Sequence, residues 1–147
     1  MSKTGSVPTS IRLPIGSMKR LKRMASNHGW TPSEVSSRLI EEGLRRADFA
    51  FVDFRDSSAG RQAYLQGSSL AIWEVMMVAR EYKNDVAATA NHLHWPPVKV
   101  QAAVNYANAF PEEIEASIAE NDAVEFETLT RMLPQAAEFT ASTPERG

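Results

Sequence analysis

A chain of 147 residues, 43% hydrophobic and with a net charge of -2, holds one folded domain or two small ones and is too apolar to be a disordered polyelectrolyte. The absence of cysteine excludes disulfide frameworks and thiolate metal sites. The longest apolar-leaning run, residues 70–79, carries Glu74 and is too short to span a bilayer, and the first residues lack the apolar stretch of a secretory signal, so a cytoplasmic protein is expected. The near-neutral total hides a partition. Residues 1–47 hold nine basic and three acidic side chains, a balance of +6; residues 48–147 hold seven and fifteen, a balance of -8. A basic module on an acidic body points the first part, and not the second, toward a polyanion.

Residues 1–8 are small and polar apart from Lys3 and Pro8 and read as a disordered arm. Thr9–Leu13 alternates: Ile11 and Leu13 share one face, Ser10 and Arg12 the other. A lone strand this short is unstable. The economical partner is the same strand of a second copy, in a two-fold dimer, and Pro14 ends it. Residues 16–28 have helical spacing, with Met18, Leu21, Met24 and Ala25 on an apolar stripe and Lys19, Arg20, Lys22 and Arg23 on the other faces. Gly29 stands where a left-handed C-terminal cap is wanted. Thr31, Pro32 and Glu34 then spell a capping box with proline at the first helical position, and Trp30 is placed to staple onto Val35. Val35, Leu39, Ile40 and Leu44 give the second helix its apolar stripe.

Over roughly residues 7–47 this order resembles the ribbon-helix-helix family of Arc, MetJ and CopG type. The resemblance rests on the Ile11-Arg12-Leu13 strand ending at Pro14, the junction from Gly29 to Glu34, and the apolar run of the second helix. It implies an intertwined dimer whose paired strands lie in the major groove of DNA. Ser10 and Arg12 would then face the bases, Arg12 with the fork geometry that suits guanine. It also implies a phosphate held at the start of the second helix, near Thr31 and Ser33, with Lys3 adding a contact. Two departures stand out: Pro8 shortens the ribbon, and the strand offers one strong base-reading side chain. The basic run 19–23 also fits a nuclear signal or a membrane-surface helix, but its apolar stripe is small and rich in Met.

Residues 48–59 read as a linker with weak extended character at Phe49 and Phe51. A short strand is expected over 62–65, then a turn at 67–69 with Ser68 or Ser69 capping a helix over 70–82. Asn84 is expected to cap a helix over 85–93, Pro96 and Pro97 to open one ending at Phe110, and Pro111 another. The short middle helix suggests a helix-turn-helix or homeodomain-like bundle. Residues 60–116 resemble a small domain of unknown function found in VapB-like antitoxins, most clearly from Val100 to Ile114. Lys99, Gln101, Asn105 and Asn108 would be exposed there, yet the acidic surroundings oppose duplex contact, so protein contact or dimer support is favoured. His92 and His94 do not make a metal site without further ligands, Trp73 and Trp95 read as core, and no nucleophile–base pair or phosphate loop emerges, so neither catalysis nor a cofactor is expected. Asp122 and Glu125 spell a capping box for a last helix whose Phe126, Leu129, Met132 and Leu133, with Phe139 beyond, either cap their own domain or dock on a partner; the final residues read as disordered.

The expected fold is mainly α with a short β-ribbon: a ribbon-helix-helix domain over 1–47, a linker over 48–59, a helix-turn-helix-like domain over 60–121, and a helix and tail over 122–147. The two resemblances together imply an antitoxin that binds operator DNA as a dimer, represses its own operon and neutralises a toxin protein of PIN-like ribonuclease type. Two other readings stay open: a plain regulator whose acidic part oligomerises or senses a ligand, and an adaptor without DNA binding.

Overall fold

The computed structural model describes residues 5–132. Six helices and one two-stranded antiparallel sheet form among them, so the described chain is mainly α with a short β-ribbon. The chain divides into two compact units between Arg45 and Arg46.

Unit 1 carries two helices joined by a short turn, α1 (Ile15–His28) and α2 (Pro32–Asp48), the last residues of α2 passing into unit 2. The turn between them follows local chemistry. Gly29 takes φ 69° and its N–H reaches back to the carbonyls ending α1, while Trp30 N–H donates to Ala25 O at 2.9 Å. The capping box forms in full: Thr31 N–H donates to Glu34 Oε1 at 2.7 Å, and Glu34 N–H donates to Thr31 Oγ1 at 3.1 Å. Trp30, expected to staple onto Val35, stacks on His28 with ring centroids 4.4 Å apart and carries the Arg38 guanidinium 4.8 Å above its ring. Among the described residues of unit 1, only Ala25 and Val35 are buried hydrophobic side chains. Residues 5–14 are neither helix nor strand. The strand expected at Thr9–Leu13 is therefore absent from the single chain, where no other strand among the described residues of unit 1 is there to pair with it.

Unit 2 opens with a hairpin. β1 (Val52–Ser57) and β2 (Gly60–Leu65) pair in register from Val52 opposite Leu65 to Ser57 opposite Gly60, across a two-residue turn at Ser58 and Ala59. Gly60 at φ 104° completes that turn, and Ser57 Oγ donates to Gly60 O and accepts from Ala59 N–H. Val52, Phe54, Ala63 and Leu65 face inward by strand alternation. They meet Ile72, Val75, Met76 and Ala79 of α3 (Ile72–Glu81), Ala103, Tyr106 and Ala107 of α5 (Pro97–Ala109), and Ile114 and Ile118 of α6 (Pro111–Met132). The short α4 (Val86–Leu93) packs on α5 and α3, with a three-residue turn, 94–96, between α4 and α5. Tyr106 is fully buried at the centre, with Phe49 and Phe110 at 5.6 and 4.8 Å, and its hydroxyl donates to Glu113 Oε2 at 2.7 Å. Arg80 of α3 is ion-paired with Glu115 of α6.

Several expectations are corrected. The supposed linker over 48–59 contains the end of α2 and all of β1. Its inward residues are Val52 and Phe54, whereas Phe51 is exposed with φ 63°; reading the alternation from Phe49 put it one residue out of register. The boundary at 121/122 does not exist, since α6 runs unbroken through it. No Gly or Pro interrupts the helix after Pro111, and Asn121 donates to Glu125 at 2.7 Å across the supposed start. The N-cap of α3 is Ala71, not Ser68 or Ser69. Alanine has no capping oxygen, so only the return half of a box forms, from Ala71 N–H to Glu74 Oε1 at 2.8 Å. Asp85, not Asn84, caps α4 by accepting from Ala88 N–H at 2.9 Å, and His94 at φ 59° ends that helix.

The two units respond differently to substitution. Leu65→Ala, in a fully buried position, should destabilise unit 2 by about 2–5 kcal/mol, whereas Thr31→Ala should cost unit 1 about 1 kcal/mol through the lost cap. Chemical denaturation followed by circular dichroism checks both.

Candidate nucleic-acid interface

Ser10 and Arg12 lie in the segment before α1 that is neither helix nor strand, both exposed. Lys3 lies outside the described residues. Thr31 and Ser33 line a shallow recess at the start of α2, together with Trp30, Glu34, Ser37 and Arg38. The two expected phosphate contacts thus share one recess, and Ser33 also lines the recess that holds Ser10, whereas Arg12 lines neither. Ser10 and Ile11 line a second recess with Leu13, Met18, Leu21 and Ile40.

The electrostatics of unit 1 are unusual in what they leave unpaired. Among the described residues, Arg12, Lys19, Arg20, Lys22, Arg23 and Arg38 have no ion-pair partner. Every described arginine of unit 2 has one: Arg46 and Arg55 with Asp53, Arg61 with Asp56, Arg80 with Glu115 and Arg131 with Glu127. Arg38 is four residues after Glu34, the usual spacing for an ion pair, yet it rests on Trp30 instead. Sequence reasoning missed Arg38. Its distance from the helix start hid it, although the offset of eight from Trp30 was there to read.

The capping box changes what the α2 N-terminus offers. Thr31 and Glu34 already satisfy each other's amides, Pro32 has no N–H, and Val35 N–H donates to Thr31 O. Ser33, with its amide and hydroxyl, is the donor left beside Arg38 for an anion, and the Glu34 carboxylate opposes one electrostatically.

In unit 2, the exposed polar face of α5 is partly engaged with itself. Gln101 donates to Asn105 at 3.0 Å, and Lys99 Nζ sits 4.6 Å from the Trp95 ring centroid. Phe126, Leu129 and Met132 are exposed on the outer half of α6, with Val124, which sequence reasoning did not single out. Leu133 and Phe139 lie outside the described residues. His92 Nδ1 is 2.8 Å from the Tyr82 hydroxyl, and no group of three or more potential metal ligands occurs among the described residues. No described helix is long and apolar enough to cross a membrane. No protein-family model, curated protein or solved structure matches the chain.

The recess at α2 generates a pair of charge-removing substitutions. Glu34→Gln keeps an acceptor for Thr31 N–H and removes the negative charge, so affinity for duplex DNA should rise about threefold at low salt; Arg38→Ala should lower it by about the same factor. Both effects should shrink at higher salt, as fluorescence anisotropy at two ionic strengths would record.

Proposed function

We propose that the chain is a DNA-binding antitoxin. Unit 1 of two copies forms a ribbon-helix-helix dimer on operator DNA and represses its own operon; unit 2 holds and inhibits a toxin protein, of PIN-like ribonuclease type, in the cytoplasm. The observation that carries the DNA reading is the set of unpaired cations in unit 1 on a chain that pairs the arginines of its other unit. Clustered cations repel one another, and a phosphate backbone relieves that repulsion with release of its own counterions.

Support for the dimer is apolar. Ile11, Leu13, Met18, Ile40 and Leu44 are 58%, 41%, 37%, 45% and 57% exposed, which leaves a two-helix unit with most of its stripe in water. Burying one such side chain contributes about 1.5–3 kcal/mol. A second copy covers the recess lined by Leu13, Met18 and Ile40 and supplies the missing strand beside Thr9–Leu13. Strand parity then turns Ser10 and Arg12 away from the buried Ile11 and Leu13, toward the groove. Support for the toxin part is the apolar outer stripe of α6, on a helix with seven acidic residues and one arginine; it suits an apolar groove with a basic rim. The α4–turn–α5 arrangement reads as a helix-turn-helix scaffold used for protein contact, its exposed amides being set in acidic surroundings.

Fluorescence anisotropy on the chain's own promoter tests the DNA reading. Saturable binding that prefers the promoter, falls steeply with salt and weakens about tenfold in Arg12→Ala is expected. Absent binding, or binding indifferent to Arg12→Ala, overturns the ribbon assignment. Co-expression with the product of the neighbouring reading frame tests the partner: a stable complex and relief of toxicity are expected, and neither appearing overturns that part.

A further inference from the structure

Unit 2 contains a recess of ≈ 550 Å³ between the hairpin, α3 and α6. Tyr64 and Trp73 give it aromatic walls and Val124 an apolar edge; Glu74, Glu120 and Asn121 supply oxygen atoms, and no Lys, Arg or His lines it. Its walls are held in place. Trp73 is half-buried and its indole N–H donates to Gln62 Oε1 at 3.3 Å. Glu74 uses one carboxylate oxygen on Ala71 N–H at 2.8 Å. Asn121 donates through Nδ2 to Glu125, which leaves its carbonyl oxygen as an acceptor. Glu120 has no hydrogen-bond or ion-pair partner among the described residues.

A recess walled by aromatic faces and carboxylates, with no Lys, Arg or His in its lining, disfavours anions and suits a cation with an apolar stem. A guanidinium fits better than an ammonium. Its plane stacks on an indole while its edge donates to a carboxylate. The chain shows the stacking itself, with Arg55 4.8 Å over Tyr64. Val124 also lines the apolar recess formed with Phe126 and Leu129, so the two recesses adjoin at that residue.

We propose that this recess is the anchor pocket for an arginine side chain of a basic protein segment seated along α6. The proposal rests on the reading of unit 2 as the partner-holding part and names the residue type that fixes the partner's register. The test uses the full chain, ¹⁵N-labelled, without DNA or partner. N-acetyl-arginine methylamide is titrated while the three indole N–H signals are followed. The Trp73 signal should move saturably, the neutral citrulline counterpart should bind at least about fivefold more weakly, and Glu120→Gln, an exposed substitution, should weaken the arginine probe about threefold to fivefold. No saturable movement, equal binding of citrulline, or indifference to Glu120→Gln overturns the pocket. None of these results bears on complex formation with the neighbouring gene product, so failure of the pocket and failure of the partner reading remain distinguishable.

Discussion

Two helices cannot enclose a core. In unit 1 Ala25 and Val35 are buried, and Ile11, Leu13, Ile40 and Leu44 stay in water. Unit 2 meets no such limit, because a sheet face and three helices close over Val52, Leu65, Ile72 and Tyr106. In the proposed dimer the missing surface comes from a second copy, which ties the stability of unit 1 to protein concentration while unit 2 is held by its own core. The same constraint couples stability to reading. In the proposed dimer the parity that would bury Ile11 and Leu13 is the parity that would present Ser10 and Arg12, so a one-residue slip of that ribbon would lose both at once.

Charge is divided as sharply as apolar surface. The acidic side chains of unit 2 hold the arginines of unit 2, and the basic side chains of α1 are left to solvent. At the start of α2 two demands conflict. Glu34 completes a capping box that fixes the helix start, and the same carboxylate stands where an anion would bind. Arg38 on Trp30 offsets that charge from the next turn of the helix. In the proposed complex this favours modest phosphate affinity per contact, with specificity left to the paired Arg12 side chains and to the shape of the DNA.

Local signals were legible in the sequence and long-range ones were not. Gly29 as a left-handed cap and Thr31 with Glu34 as a box depend on residues within one turn, and the structure forms both. The hairpin depended on a register that Phe49 and Phe51 obscured. Phe49 is drawn toward Tyr106 and Phe110, contacts that no local pattern reveals. Asp122 and Glu125 had the spelling of a helix start inside a helix already running, and spelling alone cannot tell whether a turn precedes it. Ser10 and Arg12 are exposed, but so are Ile11 and Leu13, so the alternation of that stretch leaves no mark in the single chain, whereas Arg38 and the Trp73 recess come from side chains that meet only after folding.

The continuity of α6 has a mechanical consequence. A helix of 22 residues is about 33 Å long. Ile114 and Ile118 bury its first half; Val124, Phe126, Leu129 and Met132 leave the second half without a packed face. An isolated peptide of that half would be marginal as a helix, and pairs such as Glu127 with Arg131 contribute only about 0.2–0.5 kcal/mol each. Growth from the packed half avoids the unfavourable nucleation step. The outer half therefore projects an apolar stripe already in helical register, which lowers the ordering cost of docking. In the proposed complex, acidic residues along the same helix would bias which segments approach, and the recess at Glu120, Asn121 and Val124, midway along it, would decide where along the helix they stop.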